Sequence, residues 1–194
     1  MKRIIELYGI IILLFIANTA IGQQTTGTQV KVDKFGFPQP EASNIAPDFL
    51  QHDANGKPIH LSDFKGKFVL LDFWGSMCAP CRASHPHLIQ VYNKYKDKNF
   101  TILSVSTYDM PQFKDRWLKA IATDKLVWTQ VSDPRNAGLN GIIGVNGGKF
   151  NSAAAKYGVT GLPRNFLIDP AGIIIATDLR GAALDEAMEK YVHN

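Results

Sequence analysis

The feature that most restricts the fold of this chain is a short, almost uninterrupted apolar run at residues 67–74 (KFVLLDFW). Strands that are buried on both faces of a parallel sheet carry such continuous runs, whereas half-exposed strands alternate apolar and polar residues. The run therefore predicts a central strand with helices packed on both sides of its sheet. It ends four residues before Cys78, so this cysteine should lie at the end of a buried strand.

The rest of the chain predicts strands and helices in alternation around this run. We predict a hairpin over 48–61, a helix over 79–97, a strand over 100–105, a helix from about Pro111 to Ala122, a strand over 127–131, a short helix over 152–157, a hairpin over 165–177 and a terminal helix over 182–192. Residues 138–151 contain five glycines and predict a loop. Strand, helix and strand in succession indicate a parallel βαβ unit, and thus an α/β fold with a mixed sheet.

The N-terminus has the pattern of an export signal. A basic start is followed by the apolar run 10–16 and by small residues up to Gly22, so we predict a signal peptide over 1–22. An uncleaved membrane anchor is the alternative, although the run is shorter than the roughly 20 apolar residues of a spanning helix. Residues 23–44 are rich in Gln, Thr, Gly and Pro and predict a linker, with one domain from Ile45 to Asn194.

The charge of the chain argues against one class of partner. The net charge is only +4, and the lysines and arginines are scattered along the sequence rather than clustered. Nucleic-acid binding usually requires a concentrated basic patch. We therefore expect no nucleic-acid partner.

The two cysteines of the chain, Cys78 and Cys81, are three positions apart. A disulfide that closes so small a loop removes little entropy from the unfolded chain, so it is a poor structural staple. A redox role or a metal role is therefore favoured. If a helix begins at Cys78, its unpaired N–H groups and its dipole favour the thiolate of Cys78, which then acts as the nucleophile. Cys81, one turn later, can resolve a mixed disulfide.

The segment 72–82 (DFWGSMCAPCR) resembles the active-site segment of thioredoxins. The segments 46–49 (APDF) and 61–67 (LSDFKGK) further resemble the entry hairpin of the extracytoplasmic TlpA/ResA-like branch. The resemblance covers about residues 45–192 and implies a thioredoxin-like fold with dithiol–disulfide exchange. It implies no organic cofactor, because electrons arrive and leave as thiols.

The resemblance also assigns roles to other residues. The motif Gly161-Leu162-Pro163 implies a cis proline against the cysteines, with Leu162 offering backbone contacts to substrate, and Ala79 and Pro80 are assigned to substrate contact as well. Asp72 implies an acid under the second cysteine, and burial should raise its pKa; a purely structural polar role is the alternative. Trp74 either covers the disulfide and contacts substrate or is a core aromatic residue.

Two other functions, peroxidase activity and metal carriage, fit these residues less well. Peroxiredoxins carry a Pro and a Thr or Ser where this chain has Leu71 and Gly75, so peroxidase activity is not expected. Copper or zinc carriage by the cysteines with His85 and His87 is disfavoured, because the two histidines point in different directions on one helix, and we expect both to be exposed and no metal to be bound.

The resemblance further implies protein disulfides as substrates, a membrane thiol donor of electrons and a periplasmic location. Cytochrome c maturation is one role that these properties fit. The direction of electron flow stays open, because potentials in this fold range from about −270 mV to about −120 mV. A disulfide oxidant or isomerase is therefore the alternative to a reductant.

Overall fold

The computed structural model describes residues 31–32, 38–107, 109, 113–132 and 152–192. The strands are β1 (Lys31–Val32), β2 (Pro38–Gln39), β3 (Leu50–Asp53), β4 (Pro58–His60), β5 (Phe68–Trp74), β6 (Phe100–Ser106), β7 (Thr129–Ser132), β8 (Arg164–Ile168) and β9 (Ile174–Thr177). The helices are α1 (Ala79–Tyr95), α2 (Lys114–Thr123), α3 (Ser152–Lys156) and α4 (Ala182–Tyr191), with a short 3-10 helix at Leu61–Phe64. Each strand and helix predicted within these residues is present.

The strands β3 to β9 form one mixed sheet of seven strands, in the order β4-β3-β7-β6-β5-β8-β9. The apolar run forms β5 at the centre, parallel to β6 on one side and antiparallel to β8 on the other. β5, α1 and β6 therefore form the predicted βαβ unit. The short strands β1 and β2 pair separately and were not predicted.

Successive side chains of β5 point to opposite faces of the sheet, and each face has its own core. Leu70 and Trp74 pack with Leu88 of α1 and Leu184 of α4. On the other face, the residues packed together are mainly aromatic and aliphatic and include Phe49, Leu71, Phe73, Tyr157 and Phe166. The ring centroids of Tyr157 and Phe166 are 4.9 Å apart, and those of Phe73 and Tyr157 are 5.5 Å apart.

The last residues of the predicted linker contact the domain instead of leading up to it. Ser43 donates its N–H to the carbonyl of Ile174 at 2.7 Å, and the carbonyl of the buried Asn44 accepts the N–H of Ile174 at 2.9 Å. Residues 38–40 pass so close to Gly158 that a Cβ there would lie 1.8 Å from the Pro38 carbonyl oxygen. The packed domain thus includes residues before Ile45, because these backbone groups pair with the edge of the sheet.

One helix begins later than predicted, and three predicted features lie wholly or partly outside the described residues. Helix α2 begins at Lys114 with Phe113 as its N-cap, later than predicted, and Pro111 is outside the described residues. The predicted signal peptide over 1–22 and the glycine-rich loop over 138–151 also lie outside them. Within the part of the chain that is described, no helix is long and apolar enough to cross a membrane.

Candidate active site

Cys78 occupies the N-cap of α1, directly after β5 and a short turn. Its Sγ accepts the backbone N–H of Cys81 at 3.3 Å, and Pro80 stands in the first helical turn, where the N–H that it lacks would have no helical partner. A sulfur at this position faces the positive end of the helix dipole. The predicted position of Cys78 at the start of the helix is confirmed, and its role as the nucleophile stays a prediction.

Cys78 and Cys81 are joined by a disulfide whose Cα atoms are 5.2 Å apart. The two sulfur-bearing residues differ in exposure, because Cys78 is half-buried while Cys81 is only 1% exposed. Met77, Ala79 and Pro80 beside Cys78 are exposed. A substrate can therefore reach Cys78 but not Cys81, which fits attack by the first cysteine and resolution by the second.

The peptide bond between Leu162 and Pro163 is cis, as the resemblance implied. It directly precedes β8, which pairs with β5. Leu162 is half-buried and, like Cys78, packs against the core cluster that contains Cys81. The structure thus brings the loop of Leu162 and the cysteines onto the same core. Their contacts with substrate stay predictions.

Asp72 is a buried carboxyl group in the middle of β5, only 4% exposed. It lies two positions from both Leu70 and Trp74 in the strand, so it points to the same face as they do, which packs against Cys81 and α1. Desolvation raises its pKa from 3.8 to about 7, although a hydrogen bond from Ser104 and the charge of Arg180 act in the opposite direction. The predicted rise is confirmed, and the group can exchange a proton near neutral pH.

Asp72 belongs to a row of polar side chains that crosses the sheet. Asn165 of β8 and Ser104 of β6 are its partners in the strand register, and Gln130 of β7 is the partner of Ser104. Ser104 Oγ donates to Asp72 Oδ2 at 3.3 Å and accepts the indole N–H of Trp128 at 2.8 Å. All four residues of the row are buried. Of this row only Asp72 was predicted as a site residue, because the row exists only once the strands are in register.

Trp74 has no exposed surface, and its indole N–H donates to Gln130 Oε1 at 3.1 Å. Its ring packs edge-on against His85, with 5.0 Å between the ring centroids. The prediction that Trp74 contacts substrate is therefore wrong for this disulfide form, because no atom of the ring is open to solvent. Its burial supports the alternative interpretation, in which Trp74 is an aromatic residue of the core.

The turn before Cys78 is fixed by Asp109, a carboxylate that follows β6. Asp109 is 5% exposed and accepts the backbone N–H of Ser76 at 2.9 Å as well as its hydroxyl group. Ser106 Oγ donates to the same carboxylate at 2.6 Å, and Arg116 Nε donates to Ser76 Oγ at 2.9 Å. These bonds hold the backbone that presents Cys78. Asp109 was not predicted as a site residue, although an acidic residue shortly after a buried parallel strand could have indicated it.

His85 and His87 do not face a common site. His85 is 2% exposed, contrary to the prediction of an exposed residue, because its ring lies between Trp74 and Asp124, with Nδ1 2.8 Å from Asp124 Oδ2. Burial lowers the pKa of His85, and Asp124 opposes this effect. His87 Nε2 instead lies 2.9 Å from Asp185 Oδ1 on α4. The two imidazoles therefore have separate carboxylate partners.

Asp124, at the end of α2, also binds Arg82 of α1. Arg82 Nε and one terminal nitrogen donate to its two carboxylate oxygens at 2.8 and 2.6 Å. The hydrogen bond from Arg82 is the main reason why the pKa of Asp124 is lowered. This bidentate pair attaches the first turn of α1 to the end of α2, and nothing in the sequence pattern indicated it.

Comparison with known proteins supports this chemistry. The Redoxin family model matches residues 41–190. The thiol-disulfide oxidoreductase ResA of Bacillus thuringiensis subsp. konkukian is 32% identical over 192 residues, which cover 99% of this chain and 97% of that protein. ResA of Bacillus subtilis is 29% identical over 148 residues, which cover 76% of this chain and 72% of that protein.

Solved structures show the same fold. The thioredoxin domain of a thiol-disulfide oxidoreductase from Bacteroides vulgatus is 37% identical with a TM-score of 0.66, and the match covers 78% of this chain and 98% of that one. A thiol:disulfide interchange protein from Bacteroides sp. is 36% identical with a TM-score of 0.63, and the match covers 80% and 92%. With a CxxC disulfide at a helix N-terminus and these relatives, the chain belongs to the redoxin family as a ResA-like thiol–disulfide oxidoreductase of thioredoxin-like fold.

Proposed function

We propose that this oxidoreductase reduces disulfides of protein substrates outside the cytoplasm. The observation that carries the proposal is the unequal exposure of the two cysteines, with an accessible Cys78 at the N-cap of α1 and a buried Cys81 behind it. The exposed Met77, Ala79 and Pro80 leave room for a polypeptide beside Cys78. A small-molecule pocket is not needed for this chemistry.

The reaction has two steps. The Cys78 thiolate attacks one sulfur of the substrate disulfide, which breaks that S–S bond and gives a mixed disulfide and a substrate thiolate that takes up a proton. Asp72 then accepts the proton of the Cys81 thiol. The resulting Cys81 thiolate attacks the Cys78 sulfur, so that the Cys78–Cys81 disulfide forms and the second substrate sulfur leaves as a thiolate, which takes up a proton. The protein is oxidised by two electrons and the substrate disulfide is reduced by two.

Export and a membrane partner complete the proposal. The signal-like segment 1–22 supports a periplasmic location, with a retained anchor as the alternative form. A thiol donor in the membrane would return the Cys78–Cys81 disulfide to the dithiol, so that no organic cofactor is required. Maturation of c-type cytochromes, in which a CxxC pair must be reduced, is the role that we propose for this reductant.

Reduction of insulin by dithiothreitol, followed by turbidity, tests the site. We expect Cys78→Ser to lose catalysis and Cys81→Ser to accumulate the mixed disulfide, since resolution is blocked. A Cys78→Ser variant that reduces insulin at the rate of the unmodified protein would contradict the proposal.

The reduction potential of the Cys78–Cys81 couple tests the direction. Equilibration in defined thiol–disulfide buffers should give a value near the reducing end of the range, about −270 mV. A value near about −120 mV would instead assign the protein to the oxidants or isomerases and overturn the reducing direction.

A further inference from the structure

The segment that follows β9, residues 178–180, is bound to the start of β8. Asn165 Nδ2 donates to the carbonyl of Leu179, and Leu179 N–H donates to Asn165 Oδ1, both at 2.8 Å. The N–H of Asp178 donates to the carbonyl of Asn165 at 2.9 Å. These three bonds fix the position of the next residue, Arg180.

Arg180 reaches from this segment to the loop of the cis proline. Its side chain is exposed, and one guanidinium nitrogen donates a short hydrogen bond to the carbonyl oxygen of Pro163. Pro163 is the residue at which the loop enters β8. The guanidinium therefore fixes the peptide group beside the backbone of Leu162, to which the family resemblance assigns contacts with the substrate.

The same arrangement leads back to Asp72. Asn165, which holds the segment, is the register partner of Asp72 on β8, so the two residues are adjacent across the strands. Arg180 is the charged side chain whose attraction lowers the pKa of Asp72 against the larger effect of burial. The neighbouring carboxylate Asp178 pairs with Arg164 at 3.3 Å instead of with Arg180.

Among the residues that the structure describes, no other charged side chain acts on Asp72 in this way. From β6 and β8 it faces the uncharged Ser104 and Asn165. From α1 it faces the cluster that contains Cys81. His85, which is also buried on α1, is bonded to Asp124. The contribution of Arg180 can therefore be separated from those of the α1 groups by changing Arg180 alone.

We propose that Arg180 is a positioning residue with two roles. It fixes the backbone of the loop that contains the cis proline Pro163, and its positive charge favours the ionised form of the buried Asp72. The inference rests on the proposed function, in which Asp72 accepts the proton of Cys81. The favourable charge increases the fraction of carboxylate at neutral pH. Resolution of the mixed disulfide, which needs that carboxylate, is faster as a result.

The test follows resolution directly. A mixed disulfide between Cys78 and a thiol peptide is prepared, and the rate at which Cys81 releases the peptide is measured from pH 5 to pH 9. Arg180→Gln keeps a donor for the Pro163 carbonyl but removes the charge. Arg180→Lys keeps both. Arg164→Gln is the matched control, because it removes the positive charge of a nearby arginine that pairs with Asp178.

We expect Arg180→Gln to move the midpoint of the profile to higher pH and to slow resolution below the midpoint about 2- to 3-fold, the size of effect expected for loss of one solvent-screened charge. Arg180→Lys should restore the profile, and about 1 M salt should remove the difference between Arg180→Gln and the unmodified protein. Direct NMR titration of the Asp72 carboxyl carbon should show the same displacement even if the folded fraction changes.

An Arg180→Gln profile that superimposes on that of the unmodified protein would overturn the inference, as would an equal displacement in Arg164→Gln. Asp72→Asn separates this failure from failure of the proposed function. If Asp72→Asn abolishes the pH dependence while Arg180→Gln leaves the midpoint unchanged, only the role of Arg180 is wrong. If the pH dependence persists in Asp72→Asn, the proton transfer of the proposed function is wrong.

Discussion

The two faces of strand β5 share one backbone but differ in what they contain. On one face, Leu71 and Phe73 meet the rings of Tyr157 and Phe166. On the other, Asp72 lies between Leu70 and Trp74, beneath the helix that begins at the cysteines. The first face packs aromatic and aliphatic side chains, whereas the second holds a carboxyl group whose burial raises its pKa to about 7.

This difference shows how the fold separates stability from chemistry within seven residues. An aromatic face gains free energy from the area that it removes from water. A buried carboxyl group has the opposite effect once it is ionised, because desolvation disfavours its charge. The strand can carry Asp72 because the face behind it is well packed, and substitutions on each face should therefore have effects of different kinds.

Phe73→Ala should have the largest effect on stability. The side chain has no exposed surface, so its removal leaves a cavity between Tyr157 and Phe166 and should cost about 3–5 kcal/mol in the free energy of unfolding. Urea unfolding of the oxidised protein measures this loss. The potential of the cysteines should not change in the fraction that stays folded.

Phe73→Leu is the control for Phe73→Ala, since it keeps most of the volume and should cost less. If Phe73→Ala altered the pH profile of resolution as strongly as a change at Asp72, the two faces would not be independent, and the comparison would fail.

Asp72→Asn should produce the next largest effect on the free energy of unfolding, and at high pH it should stabilise the protein instead of destabilising it. The folded pKa of about 7 lies above the unfolded value of 3.8, so the folded state binds the proton more tightly. Stability therefore falls as pH rises from about 4 through 7, by up to about 4 kcal/mol, since each pKa unit corresponds to about 1.4 kcal/mol. The Asn variant should lack this fall and be more stable than the unmodified protein at pH 8.

Urea unfolding at pH 5 and at pH 8 measures this prediction, with Asp109→Asn as the control. Asp109 is also buried, but it accepts several hydrogen bonds from Ser76 and Ser106, so its removal should destabilise the protein at both pH values. If Asp72→Asn destabilised the protein equally at both pH values, Asp72 would be needed for structure alone.

The sequence was sufficient for local features and insufficient for contacts between distant residues. The apolar run and the CxxC pair predicted β5 and the N-cap cysteine, because each depends on residues close together in the chain, whereas the cis proline was implied by the family resemblance. The polar row depends on the register of four strands, which brings Gln130 beside Ser104 and Asn165 beside Asp72. Asp124 and Arg180 likewise form hydrogen bonds to residues 42 and 17 positions away in the sequence, and no local pattern predicts such pairings.

Trp74→Phe should have a smaller effect, confined to stability. The substitution keeps an aromatic ring in the core but leaves Gln130 Oε1 without its 3.1 Å donor, which should cost about 2 kcal/mol. Because Trp74 has no exposed surface, the KM for a protein disulfide should stay unchanged. Met77→Ser, at an exposed position beside Cys78, is the comparison variant and should raise KM instead. A raised KM in Trp74→Phe would restore the substrate-binding role.

Ser104→Ala should have the smallest effect, and it tests how the chemical face is tuned. Ser104 donates to Asp72 Oδ2, which favours the carboxylate, so its loss should raise the pKa of Asp72 above about 7 by roughly half to one unit. NMR titration of the Asp72 carboxyl carbon measures this change. Ser106→Ala on the same strand is the matched control, because its hydroxyl group donates to Asp109. An unmoved titration in Ser104→Ala would mean that burial and Arg180 alone set the proton affinity of Asp72.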